Sequence, residues 1–331
     1  MSLLTPELLR ELVAEARLAP SVHNIQPTRW QMLADGQLAL VDDTTVRAPV
    51  ADPTGHDVRL SHGAALEGMS LALNRRGLSI VDIANEEQPS SSPHVVLCRL
   101  MIGNGAASDS LLESVLRRMS WRSTFAASSQ DEESLAQLAA SCSDIVCIRD
   151  RKQVADIATW ADEAELSFTR SADFRRELLT WMRLSPSDPL YLQSGLNREA
   201  LAMSAIEASG ARLVLGPLFP VLDKLGLAAP LLSDRAKTQS AAAIVLFCRP
   251  RGEDPLESGR HFYRAWLEID RAGLVACPMS ALADFPATND RLRAMAGLDA
   301  ELRLVNVFRV GHPTASRLPR HFRLPVDQLI L

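Results

Sequence analysis

Four stretches of this 331-residue chain gather side chains able to hold a flat, anionic molecule. Ala19-Pro20-Ser21-Val22-His23-Asn24-Ile25-Gln26-Pro27 follows a helix end, and its small and amide residues let backbone approach a ring while Ser21, Asn24 and Gln26 supply hydrogen bonds. Arg118, Ser120 and Arg122 alternate within Arg117-Arg118-Met119-Ser120-Trp121-Arg122. In an extended segment alternate residues share one side, so these three can converge on one anion. Arg320, His321 and Arg323 form a third basic group near the C-terminus, and Cys277-Pro278-Met279-Ser280 closes an apolar segment. Each has an ordinary alternative: an Asn/Pro turn, a solvated basic helix end, a surface arm, and a buried structural thiol at Cys277.

Composition narrows the partners. The net charge is −5, with 35 basic residues scattered among 40 acidic ones, so neither nucleic acid nor an anionic membrane is an expected partner. Arginine carries nearly all the positive charge, lysine appearing only at 152, 224 and 237. Five cysteines without metal-ligand spacing point to a reducing compartment, and the N-terminal residues have no signal-peptide pattern. No apolar run reaches the roughly 18 residues of a membrane span. A cytoplasmic protein acting on a small molecule is the expectation. No G-x-G-x-x-G after a strand, G-x-S-x-G elbow or histidine metal cluster is present.

The elements that must position these residues follow from periodicity. A helix is expected from Thr5, with Pro6 in its first turn, to before Pro20. A hairpin is expected over Trp30–Ala34 and Gln37–Val41, turning at Asp35-Gly36. After a turn at Asp52-Pro53-Thr54-Gly55, a helix spans Leu60–Arg76 and stops at Gly77; His94–Met101 is a strand, and Asn104–Ser110 a linker. The order then recurs. Laying the helix that begins near Ser61 over the one that begins near Ser258, with Gly63 on Gly259, places Leu71 on Leu267, Arg75 on Arg271 and Gly77 on Gly273, at a constant offset of 196 (63 to 259, 77 to 273). The strand Arg303–Val310 matches the one ending at Gly103, and Ala241–Cys248 matches the strand around Trp30. Two homologous halves are expected, 1–110 and 111–331, the second carrying an inserted helical or lid segment at about 168–237. Any two amphipathic helices ending in glycine look alike, so the common order of elements carries this reading.

These motifs resemble the FMN-dependent nitroreductase family. Residues 19–30 resemble its A-P-S-x-x-N-x-Q-P loop, with Thr28 where an aromatic residue is usual; Arg118-Met119-Ser120-Trp121-Arg122 resembles its R-x-S-x-R signature. Gly311-His312-Pro313 and Arg320 to Pro325 resemble its closing G-x-P and K-x-R-x-P elements, with His321 where Lys is usual. With Asp52 through Gly63, the pattern resembles the Acg-type branch, built from two tandem nitroreductase-like halves. The resemblance implies an α+β fold of mainly antiparallel sheets flanked by helices, folded as an intramolecular pseudo-dimer, monomeric or further dimerised. It implies one FMN between the halves, touched by Pro20, Ser21, Val22, Asn24 and Gln26 from the first. Arg118, Ser120, Arg122, Pro278, Met279, Ser280, Arg320, His321 and Arg323 contribute from the second. Arg122 and the backbone around Met279 and Ser280 would serve the reacting ring, although Ser280-Ala281 replaces the Glu-Gly common in bacterial relatives. NADPH or NADH would reduce the flavin, and a nitroarene or quinone would take up the electrons. The alternative function is a protein that stores FMN without turnover; a flavin-free duplicate is a third.

Overall fold

Thr5 opens α1 (Pro6–Ala16): its hydroxyl accepts the Leu8 N–H at 3.2 Å, and Pro6 sits where no N–H is needed. The helix buries Leu9, Leu12, Val13 and Ala16. The computed structural model describes residues 3–86, 92–105, 109–315 and 320–331. A hairpin of β1 (Thr28–Met32) and β2 (Leu38–Asp43) leads to α2 (His56–Asn74), then β3 (Leu78–Asn85) and β4 (His94–Asn104). α2 begins four residues ahead of the expected Leu60, because the Asp52 carboxylate accepts the Val58 N–H at 2.9 Å and caps the first turn. β3 was not expected from the sequence. It is a largely exposed edge strand in which Ser79, Asp82 and Asn85 dilute the apolar pattern. The expected linker falls partly on residues 106–108, outside the described residues.

Later in the chain come α3 (Asp131–Ser141), β5 (Ile145–Ile148), α4 (Arg151–Arg170), α5 (Ala172–Trp181) and α6 (Ala205–Leu215). Then follow β6 (Ala243–Pro250), α7 (Pro255–Arg271), β7 (Val275–Pro278), the short α8 (Ala281–Asp284), α9 (Pro286–Ala296) and β8 (Leu302–Pro313). The architecture is α+β: two antiparallel sheets flanked by helices. One has the order β1-β2-β4-β3 and the other β5-β6-β8-β7, the same path through the same succession of elements. β6 therefore stands opposite β2, and the short β5 opposite β1. The sequence alignment had set Ala241–Cys248 against the Trp30 strand, because four residues of β5 are too weak a signal to claim that place. Residues 33–37 join β1 to β2, whereas residues 149–242 lie between β5 and β6.

The two long helices α2 and α7 cross with their backbones touching. A Cβ on Gly63 would lie 1.9 Å from the Leu256 carbonyl oxygen, and one on Gly259 would lie 2.1 Å from that of Leu60. Both pairs are related by the offset of 196, so the contact is reciprocal, as across a twofold axis. Only glycine permits this approach. Beside it, Arg260 and Arg264 of α7 hold the buried Glu67 of α2 at 3.1 and 2.8 Å. The C-terminal tail crosses to the first sheet: the Trp30 N–H donates to the Leu329 carbonyl at 2.8 Å, and the Leu331 N–H to that of Trp30 at 2.9 Å. This tail carries Arg323 to the end of α1.

Candidate functional site

The loop after α1 is strained. His23, Asn24 and Gln26 have φ of 43°, 56° and 55°, a region side-chain-bearing residues rarely occupy. Side-chain hydrogen bonds hold it there. Ser21 Oγ accepts the Gln26 N–H and Ser61 Oγ the Val22 N–H, both at 3.0 Å. The Asn24 amide donates to the Gly195 and Phe322 carbonyls at 3.1 and 3.0 Å and accepts from Arg323 at 3.0 Å. Gln26 donates to the Gln193 carbonyl at 2.8 Å and accepts the Leu324 N–H at 2.9 Å. The amides thus clamp the loop to the C-terminal tail and to the segment between β5 and β6.

The loop forms one wall of a cavity of about 1240 Å³, and residues 118–122 form another. The Trp121 N–H donates to the Ala276 carbonyl of β7 at 2.8 Å, which keeps this segment extended. Trp121 turns into the core, while Arg118, Ser120 and Arg122 line the cavity. Arg118 is only 4% exposed; its guanidinium lies 4.6 Å from the Trp266 ring centre and donates to the Leu18 carbonyl at 2.8 Å. Arg323 donates to the carbonyls of Arg17 and Leu18 at 2.6 and 3.1 Å. Neither arginine has an ion-pair partner among the described residues, and Arg118 Nε has no hydrogen-bond acceptor. Burial lowers the pKa of both; at Arg323 repulsion from Arg118 and Arg17 adds to it and brings the group to about 9. His321 lies beside them with Nε2 3.0 Å from the Leu116 carbonyl; burial chiefly, and the two arginines, push it down to about 4, so the ring is neutral at pH 7. Arg122 donates to the Ala200 carbonyl at 2.8 Å. Arg320 lines the cavity too, and its neighbour Pro319 lies outside the described residues.

At the end of β7, Pro278 and Ser280 face the cavity. Met279 does not: its N–H donates to the Val307 carbonyl at 2.7 Å and its buried sulfur lies 3.8 Å from the Thr238 hydroxyl. The backbone N–H groups of Ser280 and Ala281, at the start of α8, have no acceptor among the described residues. Cys277 is buried, its thiol directed at the Pro278 carbonyl (3.6 Å). Of the fourteen residues expected at a cofactor, twelve line this one cavity; Gln26 and Met279 stand behind its walls.

Sequence reasoning missed a second group in the same cavity: Asp57 at the start of α2, Glu165 on α4 and Asp284 on α8. None has an ion-pair partner among the described residues. Burial raises Asp57 to about 7, with Asp284 and Asp52 adding repulsion. Desolvation raises Glu165 to about 7, with Asp234, Asp284 and Asp162 adding repulsion and Arg309 opposing it; desolvation raises Asp284 to about 6, with Asp52 adding repulsion and a hydrogen bond from Ser280 opposing it. Glu165 and Asp284 are solvent-exposed where they line the cavity. Three isolated carboxylates on helices far apart in sequence leave no motif to find. The pKa of His23, which also lines the cavity, is lowered by burial and by Arg122, with Glu177 opposing. No cluster able to hold a metal ion occurs among the described residues.

No family model and no curated protein matches the chain. Among solved structures it is similar to the FMN- and NADPH-dependent nitroreductase NfnB of Sphigopyxis sp. strain HMH, at 17% identity and a TM-score of 0.38, over 67% of this chain and 97% of that one. A BluB-like flavoprotein of Clostridium difficile 630 is similar at 15% identity and a TM-score of 0.36, over 66% and 97%. The FMN-dependent nitroreductase NfnB of Mycobacterium smegmatis, solved with NADPH, is similar at 16% and 0.35, over 63% and 92%.

Proposed function

We propose that this chain binds FMN in the cavity and uses it as an NADPH- or NADH-dependent oxidoreductase acting on nitroaromatic or quinone-type acceptors. The observation that carries the reading is a pair of guanidiniums, the buried Arg118 and the half-buried Arg323, facing one cavity without a carboxylate ion-paired to either. Unpaired buried charge is costly, and a bound phosphate would compensate both with charge-assisted hydrogen bonds. The residues present fit FMN: the arginines would hold its phosphate, Ser120 and Ser21 offer hydroxyls, and Ser280 and Ala281 offer free N–H donors toward a ring atom. The volume exceeds that of most small-ligand pockets, roughly 300–1,000 Å³, leaving room for a second molecule. When bound, the flavin supplies two-electron hydride chemistry. The chain's own part is to orient it, to exclude water behind Trp266 and the loop, and to stabilise negative charge through Arg122.

In this reading residues 1–110 and 111–331 are copies of one unit folded as their own pseudo-dimer, each having kept one part of the site. The loop of residues 20–26 comes from one and the basic segment and tail from the other. A second reading, FMN storage without turnover, is favoured by hydrogen bonds from Gln26, Asn24 and Arg122 to Gln193, Gly195 and Ala200, which draw the inserted segment over the cavity. The purified protein mixed anaerobically with NADPH and then NADH decides. Loss of the flavin colour within seconds supports the reductase, persistent colour supports storage, and protein that takes up no FMN overturns both.

A further inference from the structure

The cavity is bipolar, and its second pole has no role in holding a phosphate. Arg118 and Arg323 form one charged group in its lining; Asp57, Glu165 and Asp284, brought from three separate helices, form another whose charges act on one another and not on the arginines. An aromatic wall stands next to these carboxyls. Phe168, one turn after Glu165 on α4, packs at 5.6 Å against Phe174 and edge-on at 6.1 Å against Phe285, the neighbour of Asp284. Phe168 and Phe174 line the same cavity. That the cavity receives a ligand is indicated independently by Arg118, buried and with Nε unpartnered. A carboxyl cluster against aromatic faces suits a cation carried on an aromatic or otherwise planar frame, since both the charge and the ring faces attract it.

We propose that Asp57, Glu165 and Asp284, with Phe168 and Phe174, form the subsite for the second substrate and select planar organic cations, or neutral acceptors, over anions. This names the acceptor class for the FMN reading and rests on it for the identity of the first ligand. The charged groups facing the three carboxyls are Asp52, Asp162, Asp234 and Arg309. Arg309 and Lys237 are paired with Asp234 at 3.0 and 2.7 Å and Arg235 with Asp162 at 3.6 Å, so these surroundings balance and the three carboxyls themselves set the charge of the subsite. The preference for a cation is therefore greatest where the carboxyls are ionised and fades on acidification, through about 7 for Asp57 and Glu165 and about 6 for Asp284.

The test is calorimetric titration of the FMN-saturated chain with three matched probes: 4-nitrobenzyltrimethylammonium, 4-nitrobenzyl alcohol and 4-nitrobenzoate. At about pH 8 the cation is expected to bind about tenfold or more tighter than the carboxylate, a ratio of about 1.4 kcal/mol. The ratio should shrink at about pH 5, and in Glu165→Gln/Asp284→Asn at every pH. Equal affinities for the three probes, or a preference untouched by the double substitution, overturns the subsite. Isosteric amides relieve the repulsion among the carboxyls, so the variant should melt no lower than the parent at about pH 8, which separates loss of binding from loss of fold. FMN uptake is measured in the same samples. FMN binding without cation selection removes this subsite alone, and no FMN uptake removes the flavin reading; the same probes titrated into phosphate-saturated protein then decide the subsite by the same criteria.

Discussion

The two ends of the cavity are built in opposite ways from the same shortage of partners. At one, guanidiniums are held by main-chain carbonyls and an amide; at the other, carboxyls have no ion-pair partner among the described residues. Elsewhere the chain pairs its charges freely, as in Arg249 with Asp144 and Glu253 or Arg264 with Glu67 and Asp109. The contrast teaches that partners were available and that the cavity does without them. The arginine end stays charged at any physiological pH, whereas the carboxyl end sits near its titration point. One end is a fixed anchor and the other an adjustable one.

Replacing Arg118 by Met breaks the anchor most directly, since the apolar stem can remain on Trp266 while the charge is lost. FMN affinity is expected to fall about a hundredfold or more, the range for truncating a buried charged contact, while the FMN-free protein melts no lower or slightly higher. Fluorescence titration with FMN and a thermal melt read these separately, and a melt that drops together with affinity would mean that Arg118 is structural. Arg122→Ala should lower FMN affinity or the rate of flavin reduction at least about tenfold, or about 1.4 kcal/mol. An unchanged flavin spectrum and rate would remove Arg122 from the site.

Smaller effects sharpen the contrast. His321 is neutral beside two arginines, so His321→Lys adds a third cation; FMN should bind a few-fold tighter at about pH 7 and the FMN-free protein should lose stability, both seen by titration and melting. Smallest is the pH dependence of stability. Asp57, Glu165 and Asp284 have folded-state pKa values above the ordinary carboxylate range, so the folded state binds more protons than the unfolded one between about pH 4 and 7. Their contribution is present below about pH 4 and is lost as pH rises through about 7. His321 acts in the reverse sense, losing its contribution as pH falls through about 4. Melting curves of Glu165→Gln/Asp284→Asn across this window should decline less steeply with rising pH than those of the parent.

What the sequence made legible was contiguous. The loop after α1 and the alternating Arg118, Ser120 and Arg122 are short runs whose spacing is itself the geometry, and they reach the same cavity. The caps of α1 and the glycines at 77 and 273, with φ of 69° and 79°, were readable for the same reason. Direction was harder. Gln26 and Met279 are adjacent in sequence to cavity residues, yet each is turned back by a hydrogen bond formed only once the tail, the inserted segment or β8 has arrived. The carboxyl end was not legible at all, because Asp57, Glu165 and Asp284 meet only through the packing of α2, α4 and α8. The offset of 196 paired Gly63 with Gly259, which turn out to meet where the helices cross, but it said nothing of β5, whose four residues carry too little pattern.

The crossing of α2 and α7 has a further consequence for how such a chain can vary. In a dimer of identical subunits one codon change would place a methyl group into this contact twice. Here each change counts once: Gly63→Ala sets one Cβ against Leu256 and leaves Gly259 against Leu60 as before. A single covalent chain can therefore alter one side of the crossing while the other keeps the contact, and the two unlike charged groups of the cavity are the kind of asymmetry that this freedom permits.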